Sequence, residues 1–278
     1  MQAAHTMLRV CLRSSVVSAR RARPLGASYG VAAWSSPATD ALAFSTRAET
    51  TAQNAADVRD LLRARFSLTD AELDRVERHK LAGARATVEP KLVWLQSRLD
   101  LDDARLRKIL LLLPRVLGFS VENNLAPTLD WLQTRLDLDE AELRKMVVAF
   151  PALLGLSVED NMAPKLDWLQ KRLDLDDAGL RKLVLTLPAL LGYSVEDNME
   201  PKLAYLEREI GLSRPELREQ VLRIPAILSY SLDKRYRQRV EACRGAGVDP
   251  AYAVTTAPYT DDYFYGRLGR LEKKRAQM

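Results

Sequence analysis

Two cysteines and two histidines are all that 278 residues contain. Cys11 and Cys243 cannot build a disulfide framework, which points to a reducing compartment. His5 and His79 stand far apart, and no Cys/His cluster has metal-ligand spacing. His79, between Arg78 and Lys80, reads as an exposed helix residue. There is no glycine-rich phosphate loop and no nucleophile elbow. Long apolar runs are missing too. The nearest candidate, Ile109 to Leu113, stops at Pro114, far short of the ~18 residues that span a bilayer. The expectation is a protein that is not an enzyme, with no metal, no cofactor and no membrane span.

Acidic residues are missing from one place only, the N-terminus. Residues 1–39 hold five arginines and no Asp or Glu, whereas residues 40–233 carry 27 basic and 32 acidic residues and residues 234–278 carry 10 and 5. The overall charge of +5 therefore says little about the body of the chain, which is mildly acidic. In the leader, Arg9, Arg13 and Arg20 share a helical stripe beside Leu8, Leu12 and Val16, and serine is frequent. That is the composition of an organelle transit peptide. Residues 1–45 are expected to be a disordered targeting segment, for the mitochondrion, with the plastid as the alternative. A plain disordered tail is the rival reading.

Periodicity dominates the rest. Pro90, Pro127, Pro164 and Pro201 are 37 residues apart, and Pro114, Pro151, Pro188 and Pro225 keep the same step. So do Trp94, Trp131, Trp168 and Tyr205, and Ser120, Ser157, Ser194 and Ser231; Gly118, Gly155 and Gly192 follow until Ser229 breaks the series. A fixed period of this size is the signature of a solenoid, in which each unit buries its apolar face against its neighbours. Within a unit, Asp102, Asp139, Asp176 and Ser213 are candidate N-caps, with Glu142 and Glu216 completing capping boxes. Leu106, Ile109, Leu110 and Leu113 form the apolar face of a first helix, which Pro114 ends. The short Pro114–Gly118 stretch suits a 3₁₀ turn. Ser120 then caps a second helix with Leu125, Leu129, Leu132 and Leu136 as its buried stripe. Pro127 lies inside it, so the helix either kinks or starts there; a kinked continuous helix fits the register better.

Ahead of the regular units, a helix is expected over residues 52–66, followed by one started by the Thr69–Glu72 capping box and running to about Lys80. The segment Leu81 to Val88 that follows lacks the second proline and the glycine of later units, which makes this a degenerate first repeat. The predicted fold is all-α: a right-handed or arched α-solenoid of about five 37-residue repeats, each two α-helices and a short 3₁₀ turn. It spans residues 52–250, with a partly helical, basic tail at 251–278.

The run Pro151-Ala152-Leu153-Leu154-Gly155-Leu156-Ser157-Val158-Glu159-Asp160-Asn161-Met162-Ala163-Pro164-Lys165-Leu166 resembles the repeat of the mitochondrial transcription termination factor family. The stretch Tyr230 to Arg239, followed by Gly247-Val248-Asp249-Pro250, resembles that family's C-terminal unit. The likeness covers roughly residues 57–250. It implies an arched α-solenoid acting on organellar nucleic acid, DNA or RNA, in transcription termination or initiation, RNA splicing or ribosome assembly. The chain is expected to be a monomer, with transcription or ribosome-assembly proteins as further partners. The alternative is a scaffold that binds a protein partner in organellar ribosome assembly or RNA processing.

Candidate nucleic-acid-binding residues lie in rows. Arg107, Arg144, Arg181 and Arg218 form one on the first helices; Lys108, Lys145 and Lys182 form another, ending at Glu219. The arginines have a competing use, since Asp103, Glu140 and Asp177 stand four residues earlier. A third row, Lys91, Lys165 and Lys202, is broken by Thr128. Lys234, Arg235, Arg237 and Arg239 form the densest cluster, and Lys234 and Arg235 match the closing motif of the resembled family. The aromatic row could stack on bases or pack between repeats. The acid pairs Asp102-Asp103 and Asp176-Asp177 sit where helix N-termini want carboxylates. The basic run Lys273-Lys274-Arg275 is a solvated tail or a binding element.

Overall fold

The computed structural model describes residues 37–78 and 84–277. Residues 1–36 of the expected leader, His79, the expected helix end at Lys80 and the first residues of the Leu81–Val88 segment lie outside them. Among the described residues there are thirteen α-helices and no strand, and the fold is an all-α solenoid of repeated helix-turn units. The described residues form two compact units, one up to Gly118 and one from Phe119 on.

The first unit holds α1 (Pro37–Phe66), α2 (Asp70–Glu77), α3 (Arg85–Arg98), α4 (Asp103–Leu112) and the 3₁₀ segment Pro114–Gly118. Helix α1 begins well before the expected residue 52 and takes in residues 37–45 of the stretch read as targeting segment; proline is tolerated in a helix's first turn, where its missing N–H is not needed. Thr69 and Glu72 form the expected capping box at the start of α2. Val58, Leu62, Leu73, Val76, Leu92 and Leu95 are buried in this unit's core.

The second unit repeats four elements. A π-turn leads into a second helix, a first helix of the next repeat follows, and a 3₁₀ segment closes it. In order these are Val121–Leu125, α5 (Ala126–Leu136), α6 (Glu140–Ala149) and Pro151–Gly155; Val158–Met162, α7 (Ala163–Leu173), α8 (Asp177–Thr186) and Pro188–Gly192; Val195–Met199, α9 (Glu200–Ile210), α10 (Arg214–Arg223) and Pro225–Ser229. The unit ends with the π-turn Leu232–Arg237, α11 (Gln238–Gly245), α12 (Ala251–Thr255) and α13 (Asp261–Ala276). No helix among the described residues is long and apolar enough to cross a membrane.

The predicted faces are the buried ones. Leu143, Met146 and Val147 of α6 and Leu180, Leu183 and Val184 of α8 have no exposed surface, and neither do Leu125, Leu129 and Leu132 at the second-helix register. Each such side chain contributes about 1.5–3 kcal/mol relative to exposure. Asp102, Asp139 and Asp176 cap their helices by accepting from the backbone N–H three residues on. Their carboxylates are thereby explained as caps.

The helix around Pro127 is continuous, as expected, but its first turn is π-wound. The amides of Leu125, Met162 and Met199 reach back five residues to Ser120, Ser157 and Ser194, at 3.0, 3.0 and 3.1 Å. Each serine side chain also accepts from the N–H three residues ahead. Where the ladder changes from five-residue to four-residue bonds, one donor is superfluous, and Pro127, Pro164 and Pro201, which lack an N–H, stand at that junction. Gln238 replaces proline in the last copy and the π-turn still forms, one residue longer. Proline is accommodated by this winding and does not by itself cause it.

Two repeats of the second unit are braced by a buried lysine. Lys165 and Lys202 are buried, and each Nζ donates to a 3₁₀ carbonyl 26 residues later, Leu191 O and Leu228 O. Each also donates to an asparagine four residues earlier, Asn161 Oδ1 at 3.0 Å and Asn198 Oδ1 at 2.8 Å. Lys91 likewise reaches Leu117 O at 2.6 Å in the first unit. The third lysine row is thus structural. At its gap, Thr128 is buried and Asn124 Oδ1 is buried without a partner. Thr128→Lys should supply the missing donor to Asn124 and to the carbonyl of Leu154. We expect it to raise unfolding free energy by about 1 kcal/mol, read as a higher urea midpoint above about pH 10, where the cost of burying a lysine charge is gone. A lower midpoint would show that the space under Thr128 cannot take the longer side chain.

Candidate nucleic-acid interface

Each repeat's first helix starts at a capped aspartate or serine and runs for ten residues. The cap fixes the helical register, so residues five and six positions after it recur at the same place on every copy. Those positions are the arginine and lysine rows, and the structure treats them differently.

The arginines are engaged. Arg107 donates to both carboxylate oxygens of Glu72, at 2.7 and 2.9 Å. Arg181 reaches Glu142 at 2.6 Å. Arg218 donates to Asp174 O and Oδ2 at 2.9 and 2.8 Å. Arg144 also has a partner. For Arg107 and Arg181 the expected pairing with Asp103 and Asp177 gives way to a bond to the preceding repeat. The reason is visible at the acids, which accept from glutamines of the preceding second helix: Gln96 to Asp103 at 3.4 Å, and Gln170 to Asp177 at 2.8 Å. The acids Glu72 and Glu142 are the closing members of capping boxes. Backbone and hydroxyl bonds from Thr69, with Arg107 beside it, hold the Glu72 carboxyl below its usual range.

The lysines are not engaged. Lys108, Lys145 and Lys182 are exposed, and among the described residues no hydrogen bond or ion pair holds them. Their ammonium groups are free to meet an anion.

The C-terminal cluster divides. Arg239 is buried, with 1% of its side chain exposed. Its guanidinium donates to Thr256 O at 2.7 Å, Tyr259 O at 2.8 Å and Asp261 Oδ1 at 2.7 Å, and it lies 4.6 Å from the centre of the Phe264 ring. It cannot touch a nucleic acid, and the expectation that it would is corrected: a guanidinium with this many internal acceptors is a brace. Arg235 is half-buried and donates to Ala257 O and Tyr259 O, both at 2.8 Å, over the Tyr230 ring. It too ties the last helices to the final repeat. Arg237 is exposed, in a surface pair with Asp233 at 3.0 Å. Lys234 is exposed, and no side-chain bond engages it among the described residues.

A basic row that sequence reading missed runs along the second helices. Arg98, Arg135, Arg172 and then Glu209 are 37 residues apart. Arg135 donates to Gln170 at 2.8 Å, and Arg172 pairs with Glu207 at 2.9 and 2.6 Å and with Glu200 at 2.7 Å. At the last copy the signs exchange, and Arg244 donates to Glu209 at 3.0 Å. This paired swap in the sequence was the signal that these positions touch. The aromatic row packs: Tyr205 is buried and the three tryptophans are half-buried.

The mTERF family model matches residues 74–258, well over half of the chain. The chain belongs to the mTERF family. mTERF proteins are helical-repeat proteins of organelles that bind nucleic acid and act in gene expression, a family generally without enzymatic activity. No curated protein matches this mTERF chain. Within the match lie Lys108, Lys145, Lys182 and Lys234, the four cations of the expected set that no side-chain partner occupies. The last helix of this mTERF protein, α13, lies beyond it.

Proposed function

We propose that this protein binds double-stranded DNA or structured RNA in the mitochondrion and regulates gene expression there, transcription termination being the role its family membership favours. The lysine row carries the reading. Of the side chains that recur on the first helices, Arg107, Arg181 and Arg218 bond to the preceding repeat, while Lys108, Lys145 and Lys182 keep their ammonium groups in water. Lys145 and Lys182 stand at the same place on successive repeats of the second unit, Lys108 is the matching residue of the first, and lysine meets a phosphate as a point charge. Lys234 and Arg237 add to it; Arg107, Arg144, Arg181 and Arg218 contribute long-range field and give up protein bonds if they turn to phosphate. Such contacts supply affinity and register, not sequence. The mildly acidic body between residues 40 and 233 keeps the affinity moderate and strongly dependent on salt.

The test is a salt titration of duplex DNA and RNA hairpin binding by the full chain and by Lys108→Gln/Lys145→Gln/Lys182→Gln. Each phosphate contact contributes about 0.9 to the slope of log K against log salt on a duplex. We expect the triple variant to flatten that slope by about 3 units with its unfolding midpoint unchanged. An unaltered slope would remove the lysine row from the interface. Partners that co-purify equally well after nuclease treatment, with no binding to either probe, would favour the protein scaffold instead.

A further inference from the structure

The helix beyond the family match carries a surface of its own. The rings of Tyr259 and Tyr263 stack with centroids 4.4 Å apart and planes 26° from parallel, yet they remain 48% and 38% exposed. Their backbone is anchored from behind. Tyr259 O accepts from Arg235 and Arg239, both at 2.8 Å, and Thr260 caps α13 by accepting from Tyr263 N at 3.3 Å. The pair is thus an ordered aromatic step presented to solvent.

Tyr263, Arg267, Arg270 and Lys274 follow at i, i+4, i+7 and i+11, one stripe of α13 about 16 Å long. Arg267 Nη1 donates to Tyr263 Oη at 3.0 Å and sits 5.9 Å from that ring's centre. Phe264 and Leu268, on another face of the helix, are buried. Gly266 stands next to the cationic stripe and Gly269 about 100° round the helix from Arg270; at both an added Cβ would meet nothing within 4 Å. Glycine inside a helix costs stability, and here no close packing requires it. At Gly266 it leaves the helix backbone bare beside the cations. A staple between the residue before a cap and the first helical turn accounts for ring contact. It accounts for neither the aligned cations nor the bare glycines.

We propose that the Tyr259–Tyr263 step and the Arg267, Arg270 and Lys274 stripe form a binding site for single-stranded nucleic acid. An unpaired base stacks on the exposed Tyr259 ring, and the phosphates that follow run along the stripe towards the C-terminal end, away from Asp261 and Asp262. Base–aromatic stacking tolerates any sequence, and a flanking arginine strengthens it. The site is separate from the lysine row, and its occupant is an unpaired segment, of DNA or of RNA.

The experiment measures anisotropy of labelled oligo(dT), oligo(U) and a duplex hairpin with the full chain. Tyr259→Leu/Tyr263→Leu keeps an apolar contact at the helix start but no π-face. It should weaken single-strand binding by about 5- to 150-fold per stacked base, leave hairpin binding unchanged and keep the unfolding midpoint. Tyr259→Phe/Tyr263→Phe, which retains both rings, should bind like the parent. Arg267→Gln/Arg270→Gln/Lys274→Gln should flatten the single-strand salt slope by about 2 units. A stronger effect on oligo(dT) or on oligo(U) identifies which strand the site takes. Parent-like single-strand binding by the leucine variant overturns the site, as does an equal loss on the hairpin. Either result leaves the lysine row standing, whereas a parent chain that binds none of the three probes fails both.

Discussion

Arg239→Met should destabilise the second unit by about 2–4 kcal/mol, from the lost charge-assisted bonds and the buried carbonyl left without a donor, and release the last two helices. Arg239 is among the largest fully buried side chains. Its donors hold Thr256 O at the end of α12, Tyr259 O in the connection and Asp261 in the first turn of α13. Methionine restores much of the buried volume and none of the donors, so the Thr256 carbonyl is left in an apolar setting. Arg239→Lys should rescue little, because an ammonium cannot serve three acceptors arranged around a planar fork. Urea unfolding reads the loss, and limited proteolysis reads its location: cleavage should appear first between α11 and α13. A variant within about 0.5 kcal/mol of the parent, equally resistant to protease, would show that α12 and α13 dock without this brace. Single-strand binding should fall with docking, since Tyr259 is positioned by the same guanidinium.

That one residue shows where sequence reading stopped. Arg239 is the last basic residue of a dense run, Lys234-Arg235-Tyr236-Arg237-Gln238-Arg239, and such runs are usually solvated. Its burial depends on α12 and α13 folding back over α11, and nothing in the 37-residue period encodes that tail. What the period did encode was legible. Apolar faces at i, i+3, i+4 and i+7 became the core, and Asp102, Asp139 and Asp176 became caps, because both depend on local geometry. Pairing between repeats was harder. The same spacing serves a bond within a helix, Asp103 to Arg107, and one to the preceding repeat, Glu72 to Arg107, and only packing chooses. Two signals were available and went unread. One is an asparagine four residues before Lys165 and Lys202, which marks a lysine turned inward. The other is the series Asp100, Asp137, Asp174 and Gly211, all at positive φ, from 46° to 76°. The glycine closing it betrays a left-handed helix end that aspartate tolerates better than most residues.

Lys202 sets the second large expectation, through pH. It is 3% exposed, and burial lowers its pKa from 10.5 to about 8. Below pH 8 folded and unfolded chains both hold the proton, and the full cost of burying the charge is present. Between pH 8 and 10.5 the unfolded chain holds a proton that the folded one has lost, so stability rises with pH. Above 10.5 both are neutral and the cost is gone. A shift of this size is worth as much as about 3 kcal/mol. The two carbonyl acceptors, Leu228 O and Asn198 Oδ1, and the Tyr193 ring 5.9 Å away favour the ammonium and pull the figure down. Lys202→Met keeps the buried methylenes and removes the titrating group, so the difference between the two proteins isolates this lysine from every other group that titrates in the range. That difference should stay constant below about pH 7 and move towards the parent as pH rises from 8 to 10. Urea midpoints across that range measure it. A difference independent of pH would mean that the carbonyls hold Lys202 charged throughout, and the bond to Leu228 would then count as a buried ionic clamp.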